Sequence, residues 1–134
     1  MVETTSDLTE SGPDFDRLLR ANLARVFNER DPARRVKAVE ALFVPDPILY
    51  EPDKIVTGRQ AIADVAGALL DRFGPDFAFT PQEGPAVGHH GVGILRWHAG
   101  SAEGPIAVTG TDVAEIVEGR IARLWVMLDA RPAP

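Results

Sequence analysis

The chain has no cysteine, few aromatic residues and no apolar run long enough to span a membrane. Without cysteine it can form neither disulfides nor thiolate nucleophiles nor cysteine-based zinc sites, and this fits a reducing compartment. The N-terminus is acidic and polar, so it does not resemble a signal peptide. We therefore expect a cytoplasmic protein that does not enter a membrane.

Positive charge is also scarce, with 14 Lys and Arg against 20 Asp and Glu and a formal net charge of -6. Phosphate binding needs clustered Lys and Arg rather than a net acidic surface, so no nucleic-acid partner is expected. The one basic cluster, Arg34, Arg35 and Lys37, is interpreted as a solvated helix face.

Several common catalytic motifs are missing. There is no Gly-rich phosphate loop, no Ser nucleophile elbow and no His-Glu-x-x-His pattern. His89 and His90 are adjacent, and neighbours on a strand point to opposite faces, so they are not expected to hold one metal; His98 is isolated. We expect a pocket that uses neither a metal nor a cofactor.

The length of 134 residues predicts one domain with one core. Residues 1–13 are mostly polar and residues 130–134 are rich in proline, so both are predicted to be frayed tails. The domain is expected to cover residues 14–129.

Three amphipathic helices are predicted in the first half, because apolar residues recur there at steps of three and four. They run from Asp14 to Asn28, from Asp31 to Phe43 and from Thr57 to Phe73. The second begins with an Asp-Pro pair, an N-cap followed by proline at the first helical position. The third begins with Thr57 and Gln60, whose spacing indicates a capping box.

The second half changes to the alternating pattern of strands. After a short strand at 48–52, strands are predicted at 77–79, 92–98, 106–117 and 121–128. Glu118-Gly119 has the form of a two-residue hairpin turn. The predicted fold class is α+β, in which a curved antiparallel sheet packs against three helices and forms a cone with a pocket.

The order of several short motifs resembles a known family. Glu51-Pro52 is followed by Thr57-Gly58-Arg59-Gln60-Ala61-Ile62, then by Gly110-x-Asp112 and Glu118-Gly119-Arg120-Ile121. Over about residues 14 to 129 this order resembles the nuclear transport factor 2-like superfamily, within it the SnoaL-like and ketosteroid-isomerase-like branch. The resemblance implies the cone-shaped, cystatin-like roll of that superfamily.

The resemblance also implies a site. Ketosteroid isomerases use a carboxylate before a proline as general base, and a protonated Asp with a Tyr as oxyanion hole. Glu51 falls at the position of the base, and Asp112 at that of the protonated Asp. The Tyr is replaced by Leu23 or Phe27, depending on the alignment, and neither can donate a hydrogen bond.

Asp112 also stands out physically. If it points inward, the period of two places Val108, Gly110, Ala114 and Ile116 on the same face, and burial without a cation would raise its pKa. The structural alternatives are that Asp112 accepts backbone hydrogen bonds at a strand irregularity and that Glu51 lies in a surface turn.

The other candidate ligand contacts are apolar. Trp97 shares a face with Leu95, and in the resembling fold that face looks into the cavity, although a role in core packing is equally open. Leu124 and Val126 lie opposite Trp125 and Met127, and we assign the former pair to the cavity. The full predicted set is Phe27, Leu95, Trp97, Ala114, Ile116, Leu124 and Val126.

We predict that the protein binds an apolar small molecule and isomerises or cyclises an apolar carbonyl or polycyclic substrate without a cofactor, using Glu51 and Asp112. The first alternative is a non-catalytic ligand-binding or dimerisation module of the same fold. A second arises because Arg96-Trp97-His98 is similar to the Arg-x-Asp strand of limonene-epoxide-hydrolase-like proteins, which activate water. Relatives commonly pair through the outer face of the sheet, so a homodimer that covers Trp125 is expected.

Overall fold

The structure, a computed structural model, describes residues 13–129. The predicted tails therefore lie outside the described residues, apart from Pro13. Three helices, α1 at Phe15–Asn22, α2 at Pro32–Leu42 and α3 at Arg59–Phe73, pack on one face of a seven-stranded sheet, and the first two strands lie between α2 and α3 in the chain. No helix among residues 13–129 is long and apolar enough to cross a membrane.

Helix α1 is capped by Asp14, whose carboxylate accepts a hydrogen bond from the backbone N–H of Arg17 at 3.0 Å. It continues as a π-helical segment, Leu23–Phe27, in which the N–H of Asn28 donates to the carbonyl of Leu23, five residues back, at 2.8 Å. The predicted helix is confirmed over this stretch. The sequence pattern did not predict the wide turn.

The starts of the next two helices differ from each other. In α2, the Asp31 carboxylate accepts from the N–H of Arg34 at 2.9 Å, so the predicted N-cap is confirmed. The predicted capping box of α3 is wrong, because Thr57 ends a strand and the helix follows Gly58, whose φ is 94°. The Arg59 guanidinium ties this start to the sheet by donating to the carbonyl of Phe43 at 2.7 Å.

The strands of the sheet are β1 at Phe43–Glu51, β2 at Lys54–Thr57, β3 at Phe77–Pro81, β4 at Val87–His89, β5 at Val92–Ser101, β6 at Ile106–Val117 and β7 at Arg120–Leu128. Their order is β2-β1-β7-β6-β5-β3, with β4 paired to β5. The pairs are antiparallel, as predicted, except that β1 runs parallel to β7. The short strands β2 and β4 were not predicted, and β1 begins at Phe43, before the predicted start.

The two-residue turn predicted between β6 and β7 is confirmed. Glu118 and Gly119 have φ of 52° and 80°, the left-handed values that a two-residue hairpin turn needs. Along β6, Gly110, Asp112 and Ala114 are buried while the residues between them are half-exposed. The predicted inward direction of Asp112 is therefore correct, and its face is the one against which the helices pack.

Candidate active site

A cavity of about 630 Å³ lies between the helices and the end of the sheet where β5 and β7 finish and β6 begins. Much of its wall is aromatic, formed by the rings of Phe27, Phe73, Phe77, Phe79 and Trp97. Phe79 meets Trp97 edge to face, with 5.3 Å between the ring centroids. Such a wall suits an apolar ligand.

Three carboxyl residues line this cavity, Asp129 at its mouth and Glu51 and Asp112 deeper along the wall. Glu51 lies at the end of β1 and Asp112 in the middle of β6, and β7 runs between them. Val126 of β7 pairs with Asp112, while its neighbour Trp125 pairs with Tyr50, so Val126 stands between the two acids. Residues two strands apart are separated by about 10 Å at their Cα atoms. A small ligand above Val126 can therefore touch both carboxyls.

Asp112 is almost completely buried, at 3% exposure. The indole N–H of Trp97 donates to its Oδ1 at 2.9 Å. Burial raises the pKa of Asp112 from the ordinary 3.8 to about 7, and the charge of Glu51 adds to this while the Trp97 hydrogen bond opposes it. Near neutral pH, Asp112 is thus present in both protonated and ionised forms.

Glu51 is half-buried. Its burial raises the pKa above the usual value, the nearby Lys54 charge lowers it, and that of Asp53 raises it. The surface-turn interpretation fits poorly with a position on the cavity wall. Glu51 and Asp112 are close enough for the charge of one to act on the other.

The cavity mouth combines exposed apolar residues with one fixed charge. Ile106 and Leu128 are 59% and 50% exposed there. Asp129 accepts from the Thr109 hydroxyl at 2.6 Å and from Arg96 at 2.9 Å. These hydrogen bonds, that of Thr109 first, lower the pKa of Asp129. Asp129 is therefore ionised near neutral pH, whereas Asp112 is partly protonated there.

The structure brings together five of the predicted site residues. They are Glu51, Asp112, Phe27, Trp97 and Val126, and all of them line the cavity.

The other predicted ligand contacts are not on the wall. They are buried in the hydrophobic core instead: Leu95, Ala114, Ile116 and Leu124. They share a sheet face with the wall but lie where the helices cover it.

Sequence reasoning did not identify several wall residues. The aromatic residues Phe73, Phe77 and Phe79 come from the end of α3 and from β3, and the polar pair Thr109 and Asp129 comes from β6 and the residue after β7. The alternation of Phe77 and Phe79 signalled a strand but not that strand's position at the sheet edge. Nothing in the sequence placed Asp129 at a mouth.

Two other predictions can be compared with the geometry. Arg96 points to the outer face, where it reaches Thr111 and Asp129, while Asp112 points inward, so the residues of the water-activation alternative do not meet.

The ring nitrogens of His89 and His90 lie 2.7 Å apart, because His90 has a φ of 52° in the turn and does not continue the strand. The argument from opposite strand faces is therefore wrong here. Among residues 13–129 no three potential metal ligands cluster.

Comparison with known proteins agrees with this architecture. A proposed isomerase of the SnoaL-like family from Agrobacterium tumefaciens superposes with a TM-score of 0.79 at 28% identity, over 87% of this chain and 98% of that one. A proposed ketosteroid isomerase from Kribbella flavida gives a TM-score of 0.67 at 15% identity, over 90% and 82% of the two chains. A proposed polyketide cyclase from Sinorhizobium meliloti gives 0.63 at 21%, over 83% and 94%.

The last two similarities show the fold alone. None of the curated proteins compared with the chain matches it. The model of the SnoaL-like domain matches residues 20–124, which is most of the chain and includes both cavity acids. The chain belongs to the SnoaL-like family of the nuclear transport factor 2-like superfamily.

Proposed function

We propose that this protein binds an uncharged, apolar carbonyl compound and catalyses its isomerisation or cyclisation by proton transfer. Glu51 is the general base, and Asp112 is the acid that holds the carbonyl oxygen. The observation that carries the proposal is the pair of carboxyls with raised pKa values on either side of Val126, in a cavity with an aromatic wall.

The two acids suit different roles. Because like charges close together disfavour double ionisation, the favoured state near neutral pH has one proton on the pair. Asp112 is the more deeply buried of the two, and burial favours its protonated form, so it keeps that proton. Glu51, closer to solvent, is then the carboxylate.

The reaction follows from these protonation states. The Glu51 carboxylate takes a proton from the carbon next to the carbonyl, and the electron pair of that C–H bond forms a C=C bond as the carbonyl becomes an enolate. Asp112 donates a hydrogen bond to the enolate oxygen, where the negative charge develops. Where a C=C bond follows the deprotonated carbon, Glu51 then gives the proton to the far carbon of that bond and the carbonyl is restored, so that the C=C bond has moved next to the carbonyl and the isomerisation is complete. In a cyclisation, the enolate carbon instead forms a bond to a second carbonyl carbon, the first carbonyl is restored, and the oxygen of the second becomes an alkoxide that takes the proton from Glu51.

The charges around the cavity restrict the ligand. Among the described residues, the cavity wall contains no Lys, Arg or His, whereas it contains Glu51, Asp112 and Asp129. A ligand carboxylate or phosphate would meet these groups without a cation on the wall to balance it, since Arg96, on the outer face, is already paired with Asp129. We therefore expect ketones and esters to bind in preference to the corresponding free acids.

The non-catalytic alternative predicts a different cavity. If the fold served only as a binding or dimerisation module, Trp97 could fill the space or Glu51 could face solvent without consequence. Instead Trp97 lies on the wall of an open cavity, and Glu51 lines the same cavity as Asp112. These positions support catalysis over simple sequestration.

A direct test is exchange of carbon-bound hydrogen in D₂O. We expect the protein to accelerate deuterium incorporation next to the carbonyl of one or more members of a panel of neutral polycyclic ketones, followed by proton NMR. The matching carboxylic acids serve as controls and should neither bind nor exchange. Ketone binding without exchange would contradict catalysis and support the binding-module alternative.

We further propose that two copies pair through the outer face of the sheet. An apolar row crosses this face from strand to strand, and paired positions place Ile55, Tyr50, Trp125, Val113 and Ile94 side by side. The Tyr50 and Trp125 rings stack at 4.9 Å.

The row is exposed and has charges of both signs beside it. Ile55 is 66% and Ile94 is 40% exposed. Next to the row, Arg123 and Glu115 lie 3.7 Å apart. Charges of both signs on one face can pair reciprocally across a two-fold axis, which favours a second copy as the partner.

Trp125→Glu should convert the dimer to a monomer, because it places a charge in the centre of the apolar row. Sedimentation velocity of the native protein should give twice the chain mass, and that of the variant a single chain mass with an unchanged circular dichroism spectrum. Ala68→Glu, an exposed change on α3, is the control and should remain dimeric. A native protein that sediments as a single chain would rule out the pairing.

A further inference from the structure

Trp97 occupies a position that depends on a glycine. It pairs directly with Gly110 on the neighbouring strand, and its indole lies over that residue. A Cβ atom at position 110 would stand 2.7 Å from Cζ2 of the indole and 2.7 Å from the backbone carbonyl oxygen of Met127. No other residue leaves room for the ring without displacing it or the backbone.

The ring is also held from other sides. Phe79 packs against it edge to face, with planes at 79°. From this position the indole reaches along β6 to the residue two places further on, and its N–H donates to Oδ1 of Asp112 at 2.9 Å. Trp97, like Asp112, is only 3% exposed. The hydrogen bond is therefore shielded from water and fixed in direction.

The chemistry of the indole determines what Asp112 can do. An indole nitrogen carries a hydrogen and has no free lone pair, so it is a donor only. Its partner Oδ1 acts as the acceptor. Because the carbonyl oxygen of a carboxylic acid is a better acceptor than its hydroxyl oxygen, this hydrogen bond favours the neutral form of Asp112 in which the proton resides on Oδ2. Within residues 13–129, no protein group donates to Oδ2, and Asp112 lines the cavity.

We infer that Trp97 is a positioning residue that selects which oxygen of Asp112 carries the proton, so that the acid presents its O–H on Oδ2 to the ligand. This inference rests on the proposed function, because the direction of the O–H matters only if Asp112 acts as the acid of that reaction. The placement of the proton itself depends only on the hydrogen bond and can be tested without a substrate.

The spectroscopic test uses the scarcity of tryptophan. The chain has two Trp residues, so a ¹H–¹⁵N spectrum contains two indole N–H signals. We expect the signal that Trp97→Phe removes to move with pH, with the same midpoint as the carboxyl carbon of Asp112. The Trp125 signal is the internal control and should not follow that transition. The dependence should vanish in Asp112→Asn.

Other carboxyls near the cavity must be separated from Asp112. Glu51 and Asp129 share the cavity, and Glu51 acts on Asp112 through its charge. The titration is therefore repeated in Glu51→Gln, where the Trp97 signal should still show one transition. Loss of that transition in Glu51→Gln would assign it to Glu51 and overturn the inference.

Trp97→Phe provides the second readout, because it keeps an aromatic ring and removes only the donor. The hydrogen bond lowers the pKa of Asp112, so its loss should move the titration midpoint of the ¹³C-labelled Asp112 carboxyl to higher pH, by roughly 1 pH unit. A purely structural role for Trp97 would leave that midpoint unchanged, and this result would overturn the inference. Exchange of ketones is a separate measurement, so failure of the proposed reaction would not be confused with failure of this one.

Discussion

Glu51→Gln should lower the rate of carbonyl-directed hydrogen exchange by about 10²–10⁴-fold, the usual contribution of a positioned general base. Gln has nearly the same shape as Glu but cannot accept the proton. Because the amide still fills its place on the cavity wall, ligand affinity should change much less than turnover. The measurement is the initial rate of deuterium incorporation into a bound ketone, with affinity followed separately by titration calorimetry.

Glu40→Gln is the matched control, because Glu40 is exposed on α2, away from the cavity wall. It should retain the native exchange rate. Equal rates in the native protein and Glu51→Gln would remove Glu51 from the mechanism, even if Asp112 proved essential. A loss of affinity as large as the loss of rate would instead indicate that Glu51 binds the ligand without acting as the base.

Asp112→Asn should make the protein more stable than the native chain at pH 8, by up to about 4 kcal/mol. In the folded protein the pKa of Asp112 is about 7, against the ordinary 3.8 that applies when the chain unfolds. The folded state therefore binds the extra proton. Below pH 4, Asp112 is protonated in both the folded and the unfolded protein, so it does not change the free energy of unfolding. As the pH rises from 4 through 7, this free energy falls.

The expected signature is a difference in pH dependence. Asn stays neutral throughout and can still accept the Trp97 hydrogen bond, so the free energy of unfolding in urea should differ little between the two proteins at pH 4 and most at pH 8. Asp71→Asn, an exposed change on α3, should follow the native curve. If Asp112→Asn lost as much stability as the native protein between pH 4 and 8, the buried carboxyl would not be the cause.

The elements predicted correctly are those determined by near neighbours in the chain. Asp31 before Pro32 and Glu118 before Gly119 restrict the backbone within a few residues, and both signals hold. The errors occur where an element forms only because it pairs with a segment that is distant in the sequence. Strands β2 and β4 have four and three residues, and their sequences become strands only because β1 and β5 offer edges to pair with.

The site shows the same difference between features that one strand determines, which were predicted, and features that depend on distant elements, which were not. The period of two along β6 correctly turned Asp112 inward, because alternation is a property of one strand. It could not tell that Ala114 and Ile116, further along the same face, lie under the helices whereas Val108 lines the cavity. That boundary depends on how far the helices extend over the sheet. The assignment of Glu51 and Asp112 to one site came from family resemblance, and their separation by Val126 came only from strand order.

The wide turn at Leu23–Phe27 affects how this cavity can change during evolution. An α-helical hydrogen bond spans four residues, whereas the bond from Asn28 to Leu23 spans five, so this turn holds one residue more than a regular turn. A single deletion within the turn would restore the regular spacing and leave the residues on either side of it facing as they do now. One codon of the first helix could thus be lost while every strand of the sheet, and both acids, stayed in place, and the change would be confined to the segment that brings Leu23 and Phe27 to the cavity wall.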